Sequence, residues 1–321
     1  MHPDEFDLAR FARGKTHAIE LEFSSEGHRI LIPVLLQRGA REGKVLVITA
    51  GVHGDEYEGV RAILDVVPRL DPVEMSGDLV AVSVANPPAF WSGTRTSPLD
   101  GVDLARSFPG GLDSGPTRAI AYYLAQAVIA CADFFLDLHS GGVKLLMPTM
   151  VGYDAQDARS RDAALAFGAS VLWGHPTVAS GRTISFAKER GIPWLYTEAR
   201  GAGRIHLEDL RTFEVGILNL LRHLSVLPGR PTKKPIKYHL YGDGNTDASI
   251  QSNQQGFLIS CVGLLERVKK GQELGRLVDL RGKTVETFLS PSDGVVAMIH
   301  EFPVVEPGAP LFLLAGLAGQ A

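Results

Sequence analysis

His53 and Glu56 lie three residues apart in the segment Gly51-Val52-His53-Gly54-Asp55-Glu56-Tyr57-Glu58-Gly59. If the chain turns helically there, both side chains face one side. An imidazole and a carboxylate so placed begin a site for a divalent cation. A zinc hydrolase site takes three protein ligands and keeps one position open. His139, in Asp137-Leu138-His139-Ser140-Gly141-Gly142, is the candidate third ligand. Asp137 shares its side of a strand and is placed to orient it. A structural histidine is the competing reading for His139, and the His53–Glu56 pair decides for the ligand. Glu198, in Tyr196-Thr197-Glu198-Ala199-Arg200-Gly201, is the candidate general base for water, against a salt bridge to Arg200 or Arg204. Arg95 and Arg106 offer positive charge for a developing oxyanion or a substrate carboxylate. They lie in a long irregular stretch that opens at Asn86.

These residues follow segments that read as buried strands. Val45–Thr49, Leu79–Val84, Phe134–Leu138 and Trp194–Thr197 are continuous apolar runs, as in strands covered on both faces. A hairpin is predicted over residues 17–38, where Ile19, Leu21 and Phe23 alternate and Ile30, Ile32 and Val34 answer them. Helical patterns occupy Glu58–Leu70, Pro116–Cys131 and His206–Leu224. Strands alternating with helices predict an α/β sandwich, and its strand ends are where such sheets build sites. Pro228-Gly229-Arg230-Pro231 then reads as a linker, dividing a catalytic domain at 1–228 from a β-rich domain at 229–321. A weak repeat in the second part pairs Gly263–Leu274 with Gly294–Leu311 and suggests two hairpin units in a small all-β module. No lysine sits at a hairpin tip between the halves, so no swinging cofactor is expected.

With 45% apolar and 21% charged residues, the 321-residue chain has the makings of a large core. A net charge of −4 with no basic stripe speaks against a nucleic-acid or anionic-membrane partner. No apolar run reaches a membrane span, and the acidic start lacks a signal-peptide core, so a cytoplasmic location is expected. Cys131 and Cys261 read as two reduced, buried thiols.

Five segments in this order resemble the succinylglutamate desuccinylase/aspartoacylase family, a branch of the zinc carboxypeptidase superfamily. They are Gly51-Val52-His53-Gly54-Asp55-Glu56, Asn86-Pro87-x-Ala89-Phe90 with Arg95, Asp103-Leu104-x-Arg106-x-Phe108-Pro109-Gly110, Asp137-Leu138-His139-Ser140 and Thr197-Glu198. The resemblance implies a zinc-carboxypeptidase-like α/β fold, with a mixed, mostly parallel sheet flanked by helices. It also implies a small all-β C-terminal domain of lipoyl/biotinyl-hammerhead type capping the cleft. It implies one Zn²⁺ held by His53, Glu56 and His139, with Glu198 as general acid/base and Arg95 polarising the scissile carbonyl. Arg106 and Asn86 are implied to bind substrate, a small N-acyl amino acid, in a homo-oligomeric deacylase. At Ala105 the family carries Asn, so a donor to the substrate carboxylate is missing here. The segment Gly93-Thr94-Arg95-Thr96-Ser97-Pro98 is nearest the branch acting on N-acetyl-2,4-diaminobutyrate. A metallocarboxypeptidase acting on peptides and a catalytically inactive binding protein remain as alternatives.

Overall fold

The computed structural model describes residues 1–318. The chain opens with the long hairpin β1 (Lys15–Ser25) and β2 (His28–Arg38), followed by β3 (Arg41–Ala50) and α1 (Glu58–Val66). In β1 the apolar Ile19, Leu21 and Phe23 are buried, and Leu21 faces Ile32 across the hairpin. Next come β4 (Ser76–Val82), α2 (Pro87–Ser92), α3 (Pro116–Tyr123) and β5 (Phe134–Leu138). The helical run expected to Cys131 is present, but past α3 it widens over Leu124–Val128 and tightens over Ile129–Cys131. The short β6 (Leu145–Leu146), β7 (Met150–Asp154), α4 (Ala158–Phe167), β8 (Val171–His175) and α5 (Thr183–Glu189) precede β9 (Trp194–Glu198) and α6 (Leu207–His223).

These strands stand in one mixed sheet in the order β1-β2-β4-β3-β5-β9-β7-β8. Its centre, β4-β3-β5-β9, is parallel, and the hairpin and β7 join it antiparallel. The apolar run of β3 is divided between two cores. Leu46 and Ile48 pack with α1, α4 and α6 on one face, and Val47 packs with the hairpin and α3 on the other. That two-sided burial is why the run shows no alternation.

Among the described residues the C-terminal part has strands and turns, with one short 3₁₀ helix at Thr246–Ala248. It comprises β10 (Tyr238–Tyr241), β11 (Ile250–Gln251), β12 (Gly256–Ser260), β13 (Arg267–Val268), β14 (Glu273–Val278) and β15 (Thr284–Leu289). β16 (Gly294–His300), β17 (Val304–Val305) and β18 (Pro310–Leu317) complete it. The linker does not end the large sheet. β10 pairs parallel to β8 and antiparallel to β18, so the sheet runs on through β18, β16 and β13. A separate four-stranded sheet has the order β15-β14-β12-β17.

The internal repeat is visible in the pairing. β12-β13-β14 corresponds to β16-β17-β18, and each unit lends its short middle strand to the other. Gly256 stands opposite Val305, and Val268 stands opposite Gly294. The first glycine of the repeat is therefore Gly256, and not Gly263 as the sequence spacing suggested. The cysteines need a further correction: both are free, but Cys261 is exposed on β-rich surface and Cys131 only partly buried. No helix among the described residues is long and apolar enough to cross a membrane.

Candidate metal centre

His53 and Glu56 sit on the turn between β3 and α1, where Glu56 N–H bonds back to the His53 carbonyl at 3.4 Å. The turn is pressed against α2. A Cβ on Gly54 would lie 2.1 Å from the Ala89 carbonyl carbon, so only glycine lets the two segments meet. His139 follows β5, and its backbone continues the pairing with β9 through Thr197 and Ala199, both at 3.1 Å. That ladder fixes His139 beside Glu198.

The ligand atoms of His53, Glu56 and His139 lie within 4.8 Å of one another, a group able to hold a metal ion. The Nδ1 atoms of both histidines turn to Glu56, at 2.6 Å for His53 and 2.8 Å for His139. Both Nε2 atoms turn away to other carboxylates: His53 to Asp103 at 3.2 Å and His139 to Asp137 at 2.9 Å. An Nε2–H donated to a carboxylate leaves the Nδ1 lone pair free, which is the tautomer a cation requires. Asp137 is itself held by the hydroxyls of Thr49, at 2.6 Å, and Thr183. Ser140 N–H donates to Glu56 at 3.1 Å.

Burial pushes the Glu56 carboxyl up, but the two imidazoles outweigh it and hold it well below the usual range. Asp103 and Asp137 follow the same pattern: burial raises them, and their histidines bring them below normal. Burial would lower His139, but Asp137 and Glu56 together raise it well above the ordinary imidazole. Glu198 differs. Burial and the nearby Glu56 charge push it up to about 8, with His139 and Arg95 opposing. Its Oε2 is buried and has no hydrogen-bond partner. In a carboxylate, such an orphaned atom fits a site completed by something besides protein.

His53, Glu56, Arg95, Arg106, His139 and Glu198 all line one cleft. Arg95 lies half-exposed at its mouth, 3.7 Å from Glu56 and 3.6 Å from Asp103. Arg106 is held in a two-point ion pair with Asp247, at 2.9 and 3.1 Å, across from the β10–β11 connection. Arg182, near the start of α5, reaches the same carboxylate at 3.6 Å and Asn245 at 2.9 Å. Ala105 lines the cleft with no polar side-chain atom to offer. Asn86 does not line it. It is fully buried, caps α2 through Ala89 N–H and donates to the Val52 carbonyl, each at 3.4 Å.

Four residues of the site were not read from the sequence. Asp103 opens the Asp103-Leu104-x-Arg106 segment, whose spacing does not reveal its partner, and alternation along Trp194, Tyr196 and Glu198 puts Tyr196 on the Glu198 side. Arg182 and His175 carried no local signal, because the elements holding them were not predicted.

Residues 42–224 match the model of the succinylglutamate desuccinylase/aspartoacylase catalytic domain. The chain belongs to the succinylglutamate desuccinylase/aspartoacylase family. Among similar proteins is the N-alpha-acetyl-L-2,4-diaminobutyric acid deacetylase of Halomonas elongata, 36% identical over 285 residues, which cover 85% of this chain and 82% of that protein. The product-bound ectoine utilization protein of Ruegeria pomeroyi superposes with a TM-score of 0.86 at 26% identity, over 95% of this chain and 96% of that one. A succinylglutamate desuccinylase/aspartoacylase from Rhodobacter sphaeroides gives 0.85 at 28% identity, again over 95% and 96%. The family's α/β fold, with its mixed sheet and flanking helices, is thus the fold of this chain.

Proposed function

We propose that this protein is a zinc-dependent deacylase that hydrolyses the amide bond of a small N-acyl amino acid. The observation that carries the reading is the convergence of two Nδ1 atoms and one carboxylate, each imidazole backed by a second carboxylate, beside Glu198, whose Oε2 is buried and unpartnered. His53, Glu56 and His139 would hold the ion. Zinc suits a set of two imidazoles and a carboxylate, and when bound it supplies Lewis acidity to water and carbonyl.

The chain's own residues do the rest. Glu198 takes a proton from the attacking water and returns it to the departing amine. Its raised affinity for a proton suits the second of these tasks as well as the first. Arg95, at the mouth beside Glu56, stabilises the oxyanion as it forms. Arg106 receives the substrate carboxylate; its two-point ion pair with Asp247 supports this reading, because the same fork fits an incoming acid. The segment around Gly244 and Thr246 forms part of the cleft wall, favouring a short substrate. The similarity to the Halomonas elongata deacetylase makes N-α-acetyl-2,4-diaminobutyrate the first substrate to try.

The test is metal analysis of the purified protein, followed by turnover of a panel of N-acyl amino acids and short peptides. About one zinc per chain with release of free amino acid is expected. Preferential cleavage of peptides would overturn the deacylase reading in favour of a carboxypeptidase. The same reading takes the protein as a cytoplasmic homo-oligomer, to be checked by light scattering and fractionation.

A further inference from the structure

Behind Glu198 the cleft wall holds a pair that the reaction as described does not use. Tyr196 and His175 both line the cleft, and the Tyr196 hydroxyl lies 2.9 Å from His175 Nε2. The other ring nitrogen, Nδ1, lies 2.8 Å from the Gly242 carbonyl oxygen. A carbonyl only accepts, so Nδ1 must carry the proton. Burial lowers His175 to about 4, so the ring is neutral at physiological pH and Nε2 is bare. A bare Nε2 only accepts, so the Tyr196 O–H must donate to it. That leaves the phenolic oxygen with lone pairs alone.

The ring of His175 is not free to reverse this order. It stacks on Trp173 at 5.3 Å and on Trp194 at 6.5 Å between centroids. Gly244, at φ +62°, closes over it so tightly that a Cβ there would lie 2.5 Å from His175 Cε1. Among the described residues the Tyr196 hydroxyl has no other hydrogen-bond partner.

We infer that Tyr196, polarised by His175, is a specificity residue: a fixed hydrogen-bond acceptor that receives an N–H of the amine half of the substrate. The inference rests on the deacylase reading for the identity of that half. Two N–H groups qualify, the nitrogen released from the acyl group and a second amine further along the side chain. An apolar group in that place leaves the acceptor unfilled, and an ionised carboxylate or ether oxygen meets it with lone pairs alone.

Three measurements on the zinc-loaded protein test this. First, ¹⁵N NMR of the histidines should show His175 with Nδ1 protonated and Nε2 bare; an Nε2–H tautomer overturns the inference, because the tyrosine would then donate into the cleft. Second, calorimetry with 2,4-diaminobutyrate and 2-aminobutyrate compares the wild type with Tyr196→Phe, which keeps the ring and its stacking. A loss on the order of ten- to hundredfold is expected for the diamino acid. A loss confined to it assigns the second amine, and an equal loss on both assigns the shared nitrogen. Unchanged affinity for both, or no binding of either by the wild type, overturns the inference. Third, turnover of the two N-acetyl derivatives should change in the same pattern. Wild-type binding without any turnover would count against the deacylase reading and leave the acceptor standing.

Discussion

Each histidine of the centre is gripped at both nitrogens, which places the strongest expectations on single atoms. Asp103→Asn and Asp137→Asn each weaken the acceptor behind one imidazole. Metal affinity is expected to fall roughly ten- to hundredfold for each, read by competition with a chelator. Undiminished affinity would remove the backing role. Glu198→Gln should retain the metal and lose most turnover. Its effect on stability has a defined sign. In the metal-free protein the folded carboxyl titrates near 8, above its unfolded value, so its stability contribution is complete in acid and is lost as pH rises through about 8. The melting temperature of the wild type should therefore decline between about pH 5 and 8 relative to Glu198→Gln. Bound zinc should shrink that difference, since a neighbouring cation favours the ionised carboxylate. Parallel melting curves across this range without metal would contradict the burial argument.

At the scale of elements, the centre depends on turns and caps as much as on strands. Asn86 holds the N-terminus of α2, and α2 is the segment Gly54 presses against. Asn86→Ala should lower stability by about 1 kcal/mol or somewhat more, since a cap and a buried donor are lost together. It should leave the Michaelis constant nearly unchanged. A large rise in that constant with no loss of stability would restore a direct substrate contact.

The same elements explain what the sequence made legible. β3, β5 and β9 were readable because burial on both faces writes them as unbroken apolar runs, and their ends carry His53, His139 and Glu198. α1 and α6 were readable from one-sided apolar spacing. The stretch from Leu145 to Glu189 was not. α4 buries mostly small residues, Ala163, Ala164 and Ala166, beside Phe167, and Gly152 interrupts β7. Local pattern is weak in such segments, and tertiary packing decides them. The residues lost with them, His175 and Arg182, are cleft residues. The geometry of Arg106 was out of reach for a different reason: its partner Asp247 lies 141 positions away in the chain.

At the scale of the molecule, the cleft is closed by two distant parts of the chain. Arg106 and Arg182 come from the first part, and Asp247 from beyond the linker. Asp247→Asn should free Arg106 for an incoming carboxylate. A lower Michaelis constant for N-acyl amino acids is expected, because displacement of an internal competitor is no longer required. An unchanged constant would mean that the pair only orients the arginine.

The docking of β10 onto β8 has a consequence for any shortened form of the protein. A chain ending at residue 228 retains the whole stretch matched by the catalytic model but strips β8 of its neighbour, leaving a row of unpaired amides at the rim. Open rims recruit other chains. Such a fragment should self-associate or precipitate in size-exclusion chromatography, even with His53, Glu56, His139 and Glu198 all in place.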